Sequence, residues 1–287
     1  MTLPMQLTGT PMLGRLALIL SLALSLALSL ACLLSACAAG AGSTNSASLA
    51  PSSAAAATYV YVGTVERNKS VASQITGITY PFHVYLPEGY ATSGRRYPVI
   101  YATDGQWSFG AFSRMLDMRR KAAILISIEQ GGPDRRAVDY TVGGAPAYGR
   151  FLREELAPLV EASYRTAGPR TFAGTSYGAL LGSVLLSTED VAKPFFSNYL
   201  LFDGAFWALT PANVKDEEAR FAANPSLPVK LVLTTANAPG NVNEVSAYEA
   251  RYKRRAYADL VIQRKDFNVA HNDVGRPSFD WAIDLID

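Results

Sequence analysis

The sequence predicts an α/β domain: a mostly parallel central sheet with helices on both faces. Three observations lead there. Residues 122–128, Ala-Ala-Ile-Leu-Ile-Ser-Ile, form an apolar run without alternation, the mark of a strand buried on both faces. Segments of helical period separate such runs, with crossovers long enough for parallel pairing. Finally, Gly174-Thr175-Ser176-Tyr177-Gly178 sits between a strand-like and a helix-like stretch. Glycines two residues either side of a serine permit a sharp strand-to-helix turn that exposes the hydroxyl.

Composition narrows the function classes. The chain has 287 residues, 49% of them hydrophobic, enough for one good-sized core. Its net charge of +2 gives no push toward nucleic acid. The two cysteines are Cys32 and Cys37, so a domain beginning beyond them carries neither a disulfide nor a thiolate metal site. The two histidines, His83 and His271, are the only imidazoles any mechanism can use.

Residues 1–36 read as an export signal. A single charge, Arg15, precedes an apolar run from Leu16 to Leu34, and small residues follow in Leu34-Ser35-Ala36-Cys37. This last stretch resembles the bacterial lipobox, which implies lipidation of Cys37 and a mature chain starting there. Ala38 after the cysteine points to the outer membrane, facing the periplasm. Residues 37–57 are rich in Ala, Ser and Gly, with one Pro and no charge, a tether that cannot bury a core. The domain is expected over residues 58–287.

Early strands are predicted at residues 59–62 and 74–78, then an alternating strand at 80–87 and a β-branched, aromatic strand at 96–102. Residues 109–121 read as a helix, 122–128 as the buried strand, and 147–164 as a long amphipathic helix kinked by Pro158. The turn strand and its helix follow. Strands at 199–202, 229–235 and 260–264, with helices at 245–259 and 277–286, complete the domain.

A serine hydroxyl needs a base, most often histidine. His271 lies after Ser176 in the loop between the last strand and the last helix, where the Ser–acid–His order of an α/β hydrolase puts its base. His83 lies inside an alternating strand and reads as a sheet residue. The acid is open between Glu244, late in the turn after the seventh strand, and Asp203, at the end of the sixth. A pair without an acid, with an Asn or water orienting His271, is also open. Oxyanion donors are expected from the backbone N–H of Tyr177 and, after the earlier strand, of Gln106. Trp107, Phe206 and Trp207 are candidates for an apolar substrate pocket. No phosphate loop, dinucleotide fingerprint or metal-spaced cluster is present in the sequence, so no cofactor and no metal is expected.

Further motifs carry a resemblance. Tyr97-Pro98-Val99-Ile100-Tyr101 leads to Asp104-Gly105-Gln106. Pro133-Asp134-Arg135-Arg136 precedes Asp139-Tyr140-Thr141, and Phe151-Leu152-Arg153-Glu154-Glu155-Leu156 precedes Tyr164-Arg165. Ala173-Gly174-Thr175-Ser176-Tyr177-Gly178 and His271 with Pro277-Ser278-Phe279 follow in order. From about Tyr80 to the end, the chain resembles the Putative esterase family of the α/β-hydrolase superfamily. That family includes esterase D, enterochelin and salmochelin esterases, and feruloyl esterase modules. The resemblance implies an α/β-hydrolase fold and hydrolysis of a small carboxylic ester through an acyl-enzyme on Ser176 with His271 as base. The chain departs from the family pattern where Asn and Pro stand after the seventh strand, and at Asp203-Gly204-Ala205. Two other readings stay open: an acyltransferase using the same site, and a non-catalytic ligand- or partner-binding lipoprotein with a decayed site.

Overall fold

A computed structural model describes residues 59–190 and 192–286. The expected export segment, Cys37 and the tether lie outside the described residues.

Among the described residues eight strands form one sheet in the order β1-β2-β4-β3-β5-β6-β7-β8. They are β1 Thr64–Ala72, β2 Thr79–Leu86, β3 Tyr97–Ala102, β4 Ile124–Ile128, β5 Thr166–Thr175, β6 Asn198–Phe202, β7 Lys230–Ala236 and β8 Val261–Phe267. The pairs β1–β2 and β2–β4 are antiparallel, and every pair from β4 across to β8 is parallel. The helices are α1 Tyr90–Ser93, α2 Gly105–Met118, α3 Arg135–Asp139, α4 Ala145–Arg150, α5 Ala157–Ser163, α6 Tyr177–Ser187, α7 Pro211–Ala223, α8 Val242–Arg255 and α9 Gly275–Ala282.

The continuous apolar runs divide by strand period. Val99 and Tyr101, Ile124 and Ile126, Tyr199 and Leu201, and Leu231 and Leu233 enter one core, together with residues of α4–α6 and α8. Ile100, Leu125, Leu200, Phe202 and Val232 enter the other, under α2 and α9. Successive side chains of a strand point to opposite faces, so a strand in the middle layer must be apolar at every position. Phe112 of α2 and Phe279 of α9 stack with centroids 3.9 Å apart and close the second core.

Three sequence expectations need correction, and one helix was not expected. Residues 59–62 are not a strand. They form a strap held by Asp117 at the end of α2, which accepts from the Tyr59 hydroxyl at 2.6 Å and the Gly63 N–H at 2.7 Å. Residues 74–78 are a turn closed by the Ser73 N–H on the Ile78 carbonyl at 2.9 Å. The first strand lies between them, in Thr-Val-Glu-Arg-Asn-Lys-Ser-Val-Ala, an edge strand in which Arg67 is exposed and Glu66 and Lys69 are half-buried. The long helix predicted over residues 147–164 runs through α4 and α5, joined by a wide turn over Phe151–Leu156. There the Ala157 N–H reaches back five residues to the Leu152 carbonyl, an adjustment next to Pro158, which has no N–H to give. Finally, α7 was not expected. Its start is a capping box in which the Thr210 N–H donates to Asn213 Oδ1 at 3.0 Å and the Asn213 N–H donates to Thr210 Oγ1.

Candidate active site

β5 ends at Thr175 and α6 begins at Tyr177, so the whole reversal falls on Ser176. Its backbone sits at φ 59°, ψ −114°, a region that side chains rarely occupy. The Ser176 N–H donates to the Phe202 carbonyl at 2.9 Å, and its own carbonyl accepts from Leu180 at 3.0 Å and Ala205 at 3.2 Å. The turn is closed too tightly for side chains on either flank. A Cβ on Gly174 would stand 2.4 Å from the Gly178 carbonyl carbon, and one on Gly178 would stand 2.2 Å from Thr103 Oγ1.

His271 opens a single helical turn ahead of α9, and its N–H donates to the Pro239 carbonyl at 3.1 Å. Its Nδ1 lies 2.6 Å from Asp203 Oδ2. With the carboxylate accepting there, Nδ1 carries the proton and Nε2 is the basic nitrogen. Asp203 is fully buried, at the end of β6, while His271 keeps about a third of its side-chain surface open. The second oxygen of Asp203 accepts from the Asn241 N–H at 2.9 Å.

Of the two acids left open by the sequence, the structure brings Asp203 to His271. Glu244 sits in the first turn of α8. His83 is a buried sheet residue: Nδ1 accepts from the Asn68 N–H at 3.1 Å and Nε2 meets Glu129 at 2.6 Å.

Ser176 and His271 share one cleft of about 410 Å³ with Thr103, Asp104, Trp107 and Arg136. Ser108, Ala111 and Phe112 of α2 and Asn272 and Arg276 beside α9 extend it. The N–H groups of Trp107 and Ser108 close back on the Asp104 carbonyl, both at 2.9 Å. Those of Gly105 and Gln106 therefore stand ahead of the first bonds of α2, as that of Tyr177 does ahead of α6. The Gln106 side chain turns away and accepts from the Gln130 N–H at 3.3 Å.

The three aromatic candidates separate. Trp107 lines the cleft, two-thirds exposed. Trp207 is exposed, with its ring 5.9 Å from that of Tyr177. Phe206 is not a pocket residue: it is 5% exposed and stacks on Tyr248 at 4.2 Å, because the chain after Gly204 turns it inward.

Arg136 and Asn241 were given no role by their sequence context. Arg136 forks onto Asp104 at 2.7 and 3.2 Å. The Arg-rich loop before Asp139 was its one sequence signal. Asn241 had none beyond its place in a polar turn. Among the described residues no group of three or more His, Cys, Asp or Glu stands where it can hold a metal ion.

This order of strands, with a serine at positive φ in the turn after β5, is the α/β-hydrolase fold. Within it, the family profile described as Putative esterase matches residues 73–236, more than half of the chain. The chain belongs to that family, whose members act on ester bonds. No curated protein matches it. Among solved structures, an IroE-like serine hydrolase from Shewanella oneidensis is 25% identical with a TM-score of 0.67, covering 77% of this chain and 78% of that one. The BES protein from Bacillus cereus is 21% identical at a TM-score of 0.65, covering 76% and 93%. The siderophore hydrolase EstA from Aspergillus nidulans is 19% identical at 0.63, covering 79% and 94%. The last two likenesses are of fold alone.

Proposed function

We propose that the protein is an exported serine esterase. The single observation that supports this most is the pairing of a strained, cleft-facing Ser176 with a His271 whose Nδ1 is fixed by Asp203 at 2.6 Å. In this mechanism Ser176 Oγ attacks the ester carbonyl carbon and its proton passes to His271 Nε2. The oxyanion receives hydrogen bonds from the backbone N–H groups of Tyr177 and Gln106. His271 then gives the proton to the leaving alcohol oxygen as the acyl C–O bond breaks. Water, deprotonated by the same nitrogen, attacks the acyl-enzyme and releases the acid and Ser176.

The cleft is open and His271 is partly exposed, so water has access to the acyl-enzyme, which favours hydrolysis over acyl transfer. The non-catalytic reading drew its support from a missing acid, and Asp203 beside His271 takes that support away. The substrate proposed is a small carboxylic ester, including siderophore-type esters in view of the siderophore hydrolase among the neighbours. Residues 1–36 are proposed to direct export and Cys37 to carry the lipid that anchors the chain to the outer membrane on its periplasmic side.

The test is labelling with a fluorophosphonate followed by intact mass, on wild type, Ser176→Ala and His271→Ala. Stoichiometric labelling of wild type that both variants lose is the expected result. An unlabelled, folded wild type sinks the mechanism. For the anchor, the mass of the mature N-terminus in cells making wild type or Cys37→Ser decides.

A further inference from the structure

The cleft does not stop at the serine. Beyond Ser176 and His271 it continues as a groove between two helices. Trp107, Ser108, Ala111 and Phe112, spaced by one turn on a single face of α2, line one side. Gly275 and Arg276, at the start of α9, line the other. The two helices run side by side in the same direction. Phe112 stacks on Phe279, and Arg119, just past the end of α2, pairs with Asp280 at 3.0 Å. Both helices therefore start at the cleft.

The charges around this groove differ in what they offer a ligand. Asp203 is fully buried and Asp104 is 6% exposed, and each is already matched, by His271 and by Arg136. The acids of α9 and of the chain just after it, Asp280 and Asp284, are bound to Arg119, away from the cleft. Arg276 is exposed and makes no hydrogen bond or ion pair among the described residues. Of the charged groups that line the groove, it alone has no partner.

A guanidinium with its donors free presents a planar fork that fits a carboxylate with two parallel hydrogen bonds. The first N–H groups of α2, α6 and α9 add partial positive charge on the same side. Ala111 and Phe112 give the carbons between an ester and a carboxylate an apolar wall. Charge and surface together suit a ligand that is apolar along its length and negative at its end.

We infer that Arg276 is a specificity-determining residue: it selects esters that carry a carboxylate apart from the ester group, seated in the groove between α2 and α9. The inference rests on the serine-esterase reading and names the substrate class of that same site. The carboxylate belongs to the acyl part or to the alcohol part of the ester, and two pairs of substrates separate these.

The experiment measures kcat/KM of purified wild type, Arg276→Gln, Arg276→Lys and Arg276→Glu on two matched pairs. The acyl pair is the nitrophenyl monoester of adipic acid against the nitrophenyl ester of its monoamide. The alcohol pair is para-acetoxybenzoate against para-acetoxybenzamide. Fluorophosphonate titration counts active sites, and melting temperature reports folding. In wild type one carboxylate substrate should exceed its amide partner about fivefold, the upper end for an exposed ion pair. The pair that shows it tells which part of the ester bears the anion. The ratio should shrink as ionic strength rises. Arg276→Gln should bring the ratio to about one, Arg276→Lys should keep part of it, and Arg276→Glu should push it below one. A wild-type ratio near one in both pairs overturns the inference, as does a preference that Arg276→Gln retains. If Arg276→Gln does not fold, the salt dependence in wild type carries the test: a ratio that salt leaves unchanged overturns it. A wild type that neither labels nor hydrolyses the amide-bearing esters overturns the serine-esterase reading itself, a separate outcome.

Discussion

Asn241 grips Asp203 twice: its N–H donates to Oδ1 and its side-chain amide donates to the main-chain carbonyl, each at 2.9 Å. The loop after β7 thus holds the acid that stands after β6, and leaves Oδ2 for His271. Asp203 itself has φ 43°, a left-handed backbone fixed by its own N–H on the Thr234 carbonyl. In the proposed mechanism this carboxylate keeps the proton on Nδ1. Asp203→Asn should lower kcat by about 10²–10⁴-fold with little change in KM, since an amide permits the wrong tautomer. Asn241→Ala should cost about tenfold, through misplacement alone. Glu244→Gln should leave kcat within about twofold. Steady-state kinetics on a nitrophenyl ester checks all three, and a large loss in Glu244→Gln with none in Asp203→Asn reverses the assignment.

Gly178 is where the elbow helix meets the turn after β3. Its missing Cβ would strike Thr103 Oγ1 and come within 3.3 Å of Asp104 Oδ2. Gly178→Ala should destabilise the fold by about 1–3 kcal/mol as the overpacked contact pushes the two turns apart. It should also slow fluorophosphonate labelling. Thermal melts and labelling rates test this, and an alanine variant indistinguishable from wild type in both contradicts it.

Asp117 gives a pH dependence. Burial pushes its carboxyl up, but donors from Tyr59, Gly63, Val62 and Tyr85 outweigh this and hold it below the usual carboxylate range. A group whose pKa falls on folding stabilises the fold above its unfolded pKa, near 3.9, and loses that contribution as pH drops through the folded value. Asp117→Asn should therefore lower stability by about 2–4 kcal/mol at pH 7. The gap between variant and wild type should narrow below about pH 4. Denaturant unfolding at several pH values measures it; a gap that stays constant with pH rules the linkage out.

The sheet was legible where a strand is buried on both faces and mostly apolar along its length. β3, β4, β6 and β7 announce themselves because both faces are covered, and a run such as Ile124–Ile128 has no other reading of that length. β1 was not legible. Its Glu66, Arg67 and Lys69 suit an edge strand whose identity comes from pairing with β2, information that lies 15 or so residues away in the register. The apolar residues 59–62 invited a strand assignment for a segment whose backbone is bonded to a side chain instead. At the site, Ser176 and His271 stood out by local pattern and by scarcity. The choice between Asp203 and Glu244 did not, because sequence distance from a strand end says nothing about which loop folds over which. Phe206 is a similar case: an aromatic two residues from Gly204 reads equally well as pocket or core, and only the stacking on Tyr248 decides.

The strap at Tyr59 has a geometric consequence. It is pinned to Asp117, at the last turn of α2, whereas Asp104 and Trp107, at the start of the same helix, line the cleft. The helix between them is about 20 Å long. A pull on the chain entering at residue 59 is therefore delivered to the end of α2 opposite the one that carries Asp104 and Trp107.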